Sequence, residues 1–198
     1  SLLGFIVACY LAILMMFIVH ALILVLSGNN PVHYFKTVWP VLTFAFVSRS
    51  SAASIPLAIS AQEKFGVQNT IANIAASFGS SMGQNGCAGI YPAIMVAMIA
   101  PTIGIDPLSV HFLLAMLPAI ALGSIGVAGV GGGGTFAALI VLSTLNFPVA
   151  LVGIFIAIEP VVDMARTALN VNGSMMSGVL ANRLLKKSAE KPQPVNAN

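Results

Sequence analysis

Five polar residues in an otherwise apolar run, Glu159, Asp163, Arg166, Thr167 and Asn170, follow one another at steps of four, three, one and three. At about 3.6 residues per helical turn, this spacing sets them along one stripe of a helix. The stripe carries both signs of charge. A guanidinium is a rigid fork matched to a carboxylate. An aspartate one turn earlier supplies the countercharge for an ammonium and keeps Arg166 from being an uncompensated buried cation. The surrounding stretch, "IEPVVDMARTALNVNGSMMSGVL" at 158–180, is apolar enough for a bilayer, where each charge costs about 2.5–3.5 kcal/mol on insertion scales and therefore usually lines a site or pathway. The chemistry implied is recognition of a zwitterion inside a membrane. The plainer reading is an intramembrane ion pair that serves packing alone.

Composition supports the membrane setting. The 198 residues are 58% hydrophobic and 7% charged, with a mean hydropathy of +0.99. No Asp, Glu, Lys or Arg occurs in residues 65–105 or 107–158. A soluble domain does not cover its surface with such stretches, so the chain reads as an all-α integral membrane protein. The net charge of +3 comes largely from "NRLLKKSAEK" at 182–191; a basic flank to a hydrophobic span sets topology and does not suggest nucleic acid. Cys9 and Cys87 both lie in apolar surroundings and read as buried free thiols. The chain opens at Ser1 inside a hydrophobic run, without an initiator Met or a signal peptide, and is expected to be a fragment of a longer transporter-sized polypeptide.

The elements that would position the stripe are legible as hydrophobic units and their interruptions. Residues 1–27 read as a transmembrane helix closed by "SGNNP". In 31–66 the polar, small-residue run "SRSSAAS" (48–54) divides two short arms, which fits a re-entrant hairpin better than a span of about 20 uninterrupted apolar residues. Residues 69–104 read as a transmembrane helix unwound midway at "GSSMGQNGCAG" (79–89). A second hairpin occupies 106–146, split by "GVAGVGGGG" (126–134), and the helix bearing the charged stripe occupies 148–187. The polar tail 188–198 reads as disordered. Lys36, Lys64 and the basic cluster at 183–191 fall on one side of the membrane only if both split units return to the side they entered from. Span, hairpin and span in opposite orientations, repeated, is the inverted-repeat plan of secondary transporters.

These motifs resemble the dicarboxylate/amino acid:cation symporters, whose glutamate-transporter-like fold has the same order of parts. "SRSSAAS" resembles their serine-rich first hairpin tip, "SIGVAGVGGGG" (124–134) their glycine-rich second hairpin, and "DMARTALNVNG" (163–173) their substrate helix. "GQNGCAGIYPA" (83–93) resembles the L-cystine symporter branch, where the wider family has Asn-Met-Asp-Gly-Thr. The resemblance covers residues 1–187, the C-terminal half of a full-length member.

By motif position the resemblance implies that Asp163 binds a substrate α-amino group and Arg166 a distal carboxylate. Thr167 and Asn170 would bond the amine and α-carboxylate region. Ser50 and Ser51 would offer hydroxyl and backbone donors, and Gly129–Gly134, with Gly131 among them, would form an extracellular gate. Glu159 stands where the family often has an acid beside the site. Sodium-coupled relatives use one Asp in the broken helix and another about a turn beyond the substrate-helix Asn. Here Gly83–Tyr91 holds no acid and the second position is Ser174. Sodium would then rely on neutral oxygens from Gln84, Asn85, Asn170 and Ser174 and on backbone carbonyls at Ser124, Ile125 and Val127. Glu159 remains as a carboxyl able to carry a proton, so sodium or a proton is the implied coupling ion, with no other cofactor. A homotrimer in the cell membrane is implied by resemblance alone.

The expected function is therefore a symporter that imports L-cystine by an elevator-type movement. Uptake of an acidic or small neutral amino acid (aspartate, glutamate or serine) is the alternative within transport, and an uncoupled channel or receptor the alternative outside it. No nucleophile–base–orienter set or metal-ligand spacing suggests an enzyme. Several residues have bland readings: His20, His33 and the methionines as packing, Cys87 as a small apolar filler, the glycine run as close helix packing. Arg49 could snorkel to the cytoplasmic face or neutralise Glu159 or Asp163.

Overall fold

The computed structural model describes residues 1–125, 127 and 129–189. Its secondary structure is helical: α1 (Leu2–Leu26), α2 (Pro31–Ser48), α3 (Ile55–Lys64), α4 (Asn69–Gly79), α5 (Tyr91–Ile99), α6 (Val110–Gly123), α7 (Gly133–Thr144), α8 (Val152–Ile156) and α9 (Glu159–Ala189). A π-helical turn, Asn85–Ile90, leads into α5, and short 3-10 turns follow α5 and precede α8. Leu2–Leu26 and the continuous Asn85–Ile103 segment are long and apolar enough to cross a membrane.

Local chemistry sets the helix ends. The side chain of Asn30 accepts from the Val32 and His33 amides at 2.9 and 3.2 Å, with Pro31 opening α2 where its missing N–H costs nothing. Arg49 ends α2 in the left-handed region at φ 55°, and Pro56 restarts the chain in the first turn of α3. The stretch 148–187, expected as one helix, is divided. α8 stops at Ile156 and α9 starts at Glu159. Pro160 in the first turn of α9 explains the break, since its ring clashes with a preceding helical turn. Ser188 and Ala189 continue α9, while the rest of the tail lies outside the described residues.

Two large apolar cores result, with two smaller clusters beside them. One gathers Phe5, Tyr91, Met95, Phe112, Val141 and Leu142 from α1 and α5–α7; the other gathers Leu24, Tyr34, Val38, Ala72, Met175 and Val179 from α1–α4 and α9. α9, with 31 residues and hence about 46 Å long, runs past both. Its stripe lies between the cores, where the α2–α3 connection meets the α6–α7 connection. The Ala52 amide donates to the Gly129 carbonyl at 2.9 Å, and the Ser50 hydroxyl donates to the same oxygen at 3.2 Å. Met82, just before the π-helical turn, bridges to Ile125 at the end of α6.

Candidate functional site

The centre of the site is a buried cluster of four charges. Arg166 is 0% exposed and Asp163 1%. The Arg166 Nη2 donates to Asp163 Oδ1 at 3.0 Å and to Glu159 Oε1 at 3.2 Å. The other Asp163 oxygen, Oδ2, accepts from Arg49 Nε at 3.0 Å. Two guanidiniums and two carboxylates cancel, which is the condition for keeping charge in a low-dielectric interior. Arg49 reaches this position because α2 ends there, and of its possible partners it takes Asp163. Its side chain stays 32% exposed, so it is the edge of the cluster rather than its core.

Arg166 is held from below by an aromatic ring that the sequence reading did not single out. Its Cζ lies 3.9 Å from the centroid of the Tyr91 ring, a cation–π contact strengthened by the burial of both side chains. Phe5 meets the same ring edge-on at 5.3 Å. An isolated Tyr in an apolar run reads as packing, and the only sequence signal was its place directly after the interrupted segment.

Asn170 ties the stripe to the π-helical turn. Its Oδ1 accepts from the Gly86 amide at 2.8 Å, and its Nδ2 donates to Gln84 Oε1 at 3.2 Å and Cys87 Sγ at 3.1 Å. The Cys87 thiol in turn lies 3.8 Å from Asp163 Oδ1. Gln84 also donates to the carbonyl of Ser80 and, at 3.5 Å, to that of Val127. Thr167 and Ser51 are also buried. Glu159, Asp163, Arg166 and Asn170 are thus joined, Asn170 through Cys87, with Arg49 at the edge near Gly131, while Ser50 bonds to Gly129.

The residues considered for a cation are more dispersed. Asn85 turns toward His20 Nε2 at 3.4 Å. Ser174 donates to the Val171 carbonyl of its own helix at 2.9 Å, and Ser124 to the Ala121 carbonyl at 2.8 Å. His20, read as bland, is buried in a polar network: Asn172 Nδ2 lies 2.8 Å from its Nδ1, and the Tyr34 hydroxyl donates to Asn172 at 3.2 Å. No group of three or more His, Cys, Asp or Glu arranged for a metal occurs among the described residues.

Gly131 and Gly134 pack against the charged groups. At Gly134 a side-chain Cβ would run into Arg166 Nη1, so only glycine lets α7 approach the guanidinium. Gly132 has φ +92°, a region that β-branched residues avoid. Gly134→Ala is therefore expected to displace Arg166, and Gly132→Val to strain the turn that starts α7. Both should lower the melting temperature, and a wild-type value in either variant would show that this packing is not tight.

A sequence model of the sodium:dicarboxylate symporter family matches residues 1–184. The chain is similar to an L-cystine uptake protein TcyP of Bacillus cereus, 59% identical over 183 residues, which are 92% of this chain and 39% of the relative. A protein of the same description from Bacillus licheniformis is 57% identical over 180 residues, 91% of this chain and 39% of the relative. An uncharacterized symporter of Haemophilus influenzae is 56% identical over 185 residues, 93% of this chain and 42% of the relative. The chain therefore spans about two fifths of the length of these curated relatives.

Proposed function

This chain belongs to the sodium:dicarboxylate symporter family, and on that premise we propose that it forms the substrate-binding part of a secondary active transporter that imports L-cystine across the cell membrane. The observation that carries this reading is the buried Asp163–Arg166 pair beneath two meeting helix connections. Asp163 binds the ammonium of one amino-acid head. Arg166 binds the carboxylate at the far end. Thr167, Asn170, Ser50 and Ser51 complete the near head. Arg49 Nε occupies the Asp163 oxygen that the ammonium takes, so binding exchanges one cation for another and leaves the carboxylate paired throughout.

Charge balance favours cystine over an acidic amino acid. The cluster already sums to zero, and cystine with two zwitterionic heads also sums to zero. Aspartate or glutamate would bring a net negative charge into a site whose burial penalises it. The high identity to proteins described as L-cystine uptake proteins supports the same choice. Uptake of an acidic or small neutral amino acid is the second reading, favoured by the dicarboxylate description of the family.

The α2–α3 and α6–α7 pairs act as re-entrant hairpins of an inverted repeat, with α9 and the interrupted segment before α5 crossing between them. The full-length protein assembles as a homotrimer in the bilayer, and this unit moves as an elevator against a scaffold contributed by the rest of the polypeptide. Radiolabelled L-cystine uptake by the full-length protein, competed with cysteine, aspartate, glutamate and serine, tests the substrate. Cystine is expected to compete best and an ionophore to abolish accumulation. Stronger competition by aspartate or glutamate, or uptake that never exceeds equilibrium, would overturn the reading.

The same balance bears on the coupling ion. With no acid in Gly83–Tyr91 and Ser174 at the second position, a cation meets only neutral oxygens and binds more weakly. The sodium-to-substrate ratio is expected to be lower than in carboxylate-bearing relatives, with Glu159 available to carry a proton. Proteoliposomes under separately imposed sodium and pH gradients measure this. Several sodium ions per substrate and no response to pH would contradict it.

A further inference from the structure

A buried histidine in an apolar helix needs a physical reason. His20 lies in α1, is 1% exposed, and has no salt-bridge partner among the described residues. Burying an imidazole is unfavourable unless its ring nitrogens find partners. Both do. Nδ1 lies 2.8 Å from the carboxamide nitrogen of Asn172 on α9, and Nε2 lies 3.4 Å from that of Asn85 in the π-helical turn. A neutral imidazole offers one donor and one acceptor, and a carboxamide can present either kind of group, so one ring can bond both amides. The Tyr34 hydroxyl of α2 donates to the Asn172 carbonyl and to its Oδ1, each at 3.2 Å. The network around His20 thus joins α1, α2, the π-helical turn and α9.

The π-helical turn is the element that most needs such support. Turns of this kind are rare, and they recur at functional sites. Asn170 holds this one through the Gly86 amide and through Gln84 and Cys87. His20 holds the next residue, Asn85. The turn also lies directly on α9. A Cβ at Gly86 would come within 2.8 Å of the Arg166 carbonyl oxygen and 2.9 Å of its Cα, and a Cβ at Gly173 within 2.8 Å of Asn85 Oδ1. Contacts this close pass a shift of the turn to the backbone of Arg166, because packed elements have no slack to absorb it.

Resting on the substrate site argued above, we propose that His20 is a positioning residue for that site: through Asn85 and Asn172 it seats the π-helical turn on α9, which sets the places of Arg166 and Asn170. His20 touches no substrate. Its role requires a donor and an acceptor on one buried side chain.

Equilibrium binding of L-cystine and amide hydrogen exchange, both on the full-length protein, test this. His20→Leu fills much of the space and bonds neither amide. It is expected to weaken binding about tenfold and to speed exchange in residues 84–90. His20→Gln, whose carboxamide offers both a donor and an acceptor, is expected to recover most of each loss. Asn85→Ala added to His20→Leu is expected to weaken binding no further, since both act through one contact. A lower melting temperature with unchanged affinity and unchanged exchange at 84–90 would make His20 a packing residue and overturn the proposal. Additive losses in the double variant would overturn it as well. Should His20→Leu fail to fold, Tyr34→Phe replaces it. That variant removes only the hydroxyl that holds Asn172 and is expected to weaken binding about threefold, and an unchanged affinity overturns the proposal. Failure of the cystine reading looks different: the wild type would then bind L-aspartate more tightly than cystine. The same variants measured with L-aspartate then decide the role of His20, with the same expected losses.

Discussion

Asp163→Asn is expected to reduce cystine uptake to background, and to do so for every amino acid offered. The substitution keeps the shape of the side chain and removes its charge. It withdraws the partner of Arg49 Nε and one of the two partners of Arg166 Nη2, and it removes the countercharge on which a substrate ammonium depends. Breaking a buried ion pair at one side costs about 3–5 kcal/mol, so the variant should also unfold at lower temperature. A second substitution separates these effects. Arg49→Gln added to Asp163→Asn removes the stranded guanidinium and should recover much of the thermal stability without recovering uptake. Transport by either the single or the double variant would show that Asp163 does not hold the amine.

Arg166→Ala is expected to discriminate among ligands. It removes the fork that meets a distal carboxylate, so cystine binding should be lost, at a cost of about 2–5 kcal/mol, or roughly 30-fold to several thousand-fold in affinity. A small neutral amino acid needs only the near head and should retain measurable binding. Asp163 keeps Arg49 as its partner in this variant, which is why the near half of the site survives. Binding measured with labelled cystine and labelled serine on the same preparation checks the contrast. Undiminished cystine affinity would remove Arg166 from the site.

How much of this was legible in the sequence depends on the range of the interaction. The stripe of Glu159, Asp163, Arg166, Thr167 and Asn170 could be read directly, because helical periodicity is a local property and polar residues stand out in an apolar run. The polar run at 48–54 and the glycine run before α7 were legible for the same reason. The start of α9 was misjudged although Glu159 and Pro160 mark it, because the apolar run from Val149 to Ile158 leads directly into the charged stripe. Partners far apart in the chain were not legible. Arg49 and Asp163 are separated by 114 positions, and nothing local decides between Asp163, Glu159 and the cytoplasmic face. Tyr91 was missed because an aromatic residue in an apolar helix reads as packing; only its position against Arg166 gives it another meaning. Asn85 was assigned to a cation, and only the fold turns its side chain toward His20.

The central claim is that the Asp163–Arg166 pair is the receptor for the two ends of the substrate. A structure of the full-length protein with L-cystine bound tests it most directly, through three distances. The account predicts the ligand ammonium within hydrogen-bond reach of Asp163 Oδ2, Arg49 Nε withdrawn from the 3.0 Å it now keeps to that oxygen, and the far carboxylate on Arg166. Cystine bound elsewhere while the Arg49–Asp163 pair stays closed would contradict it.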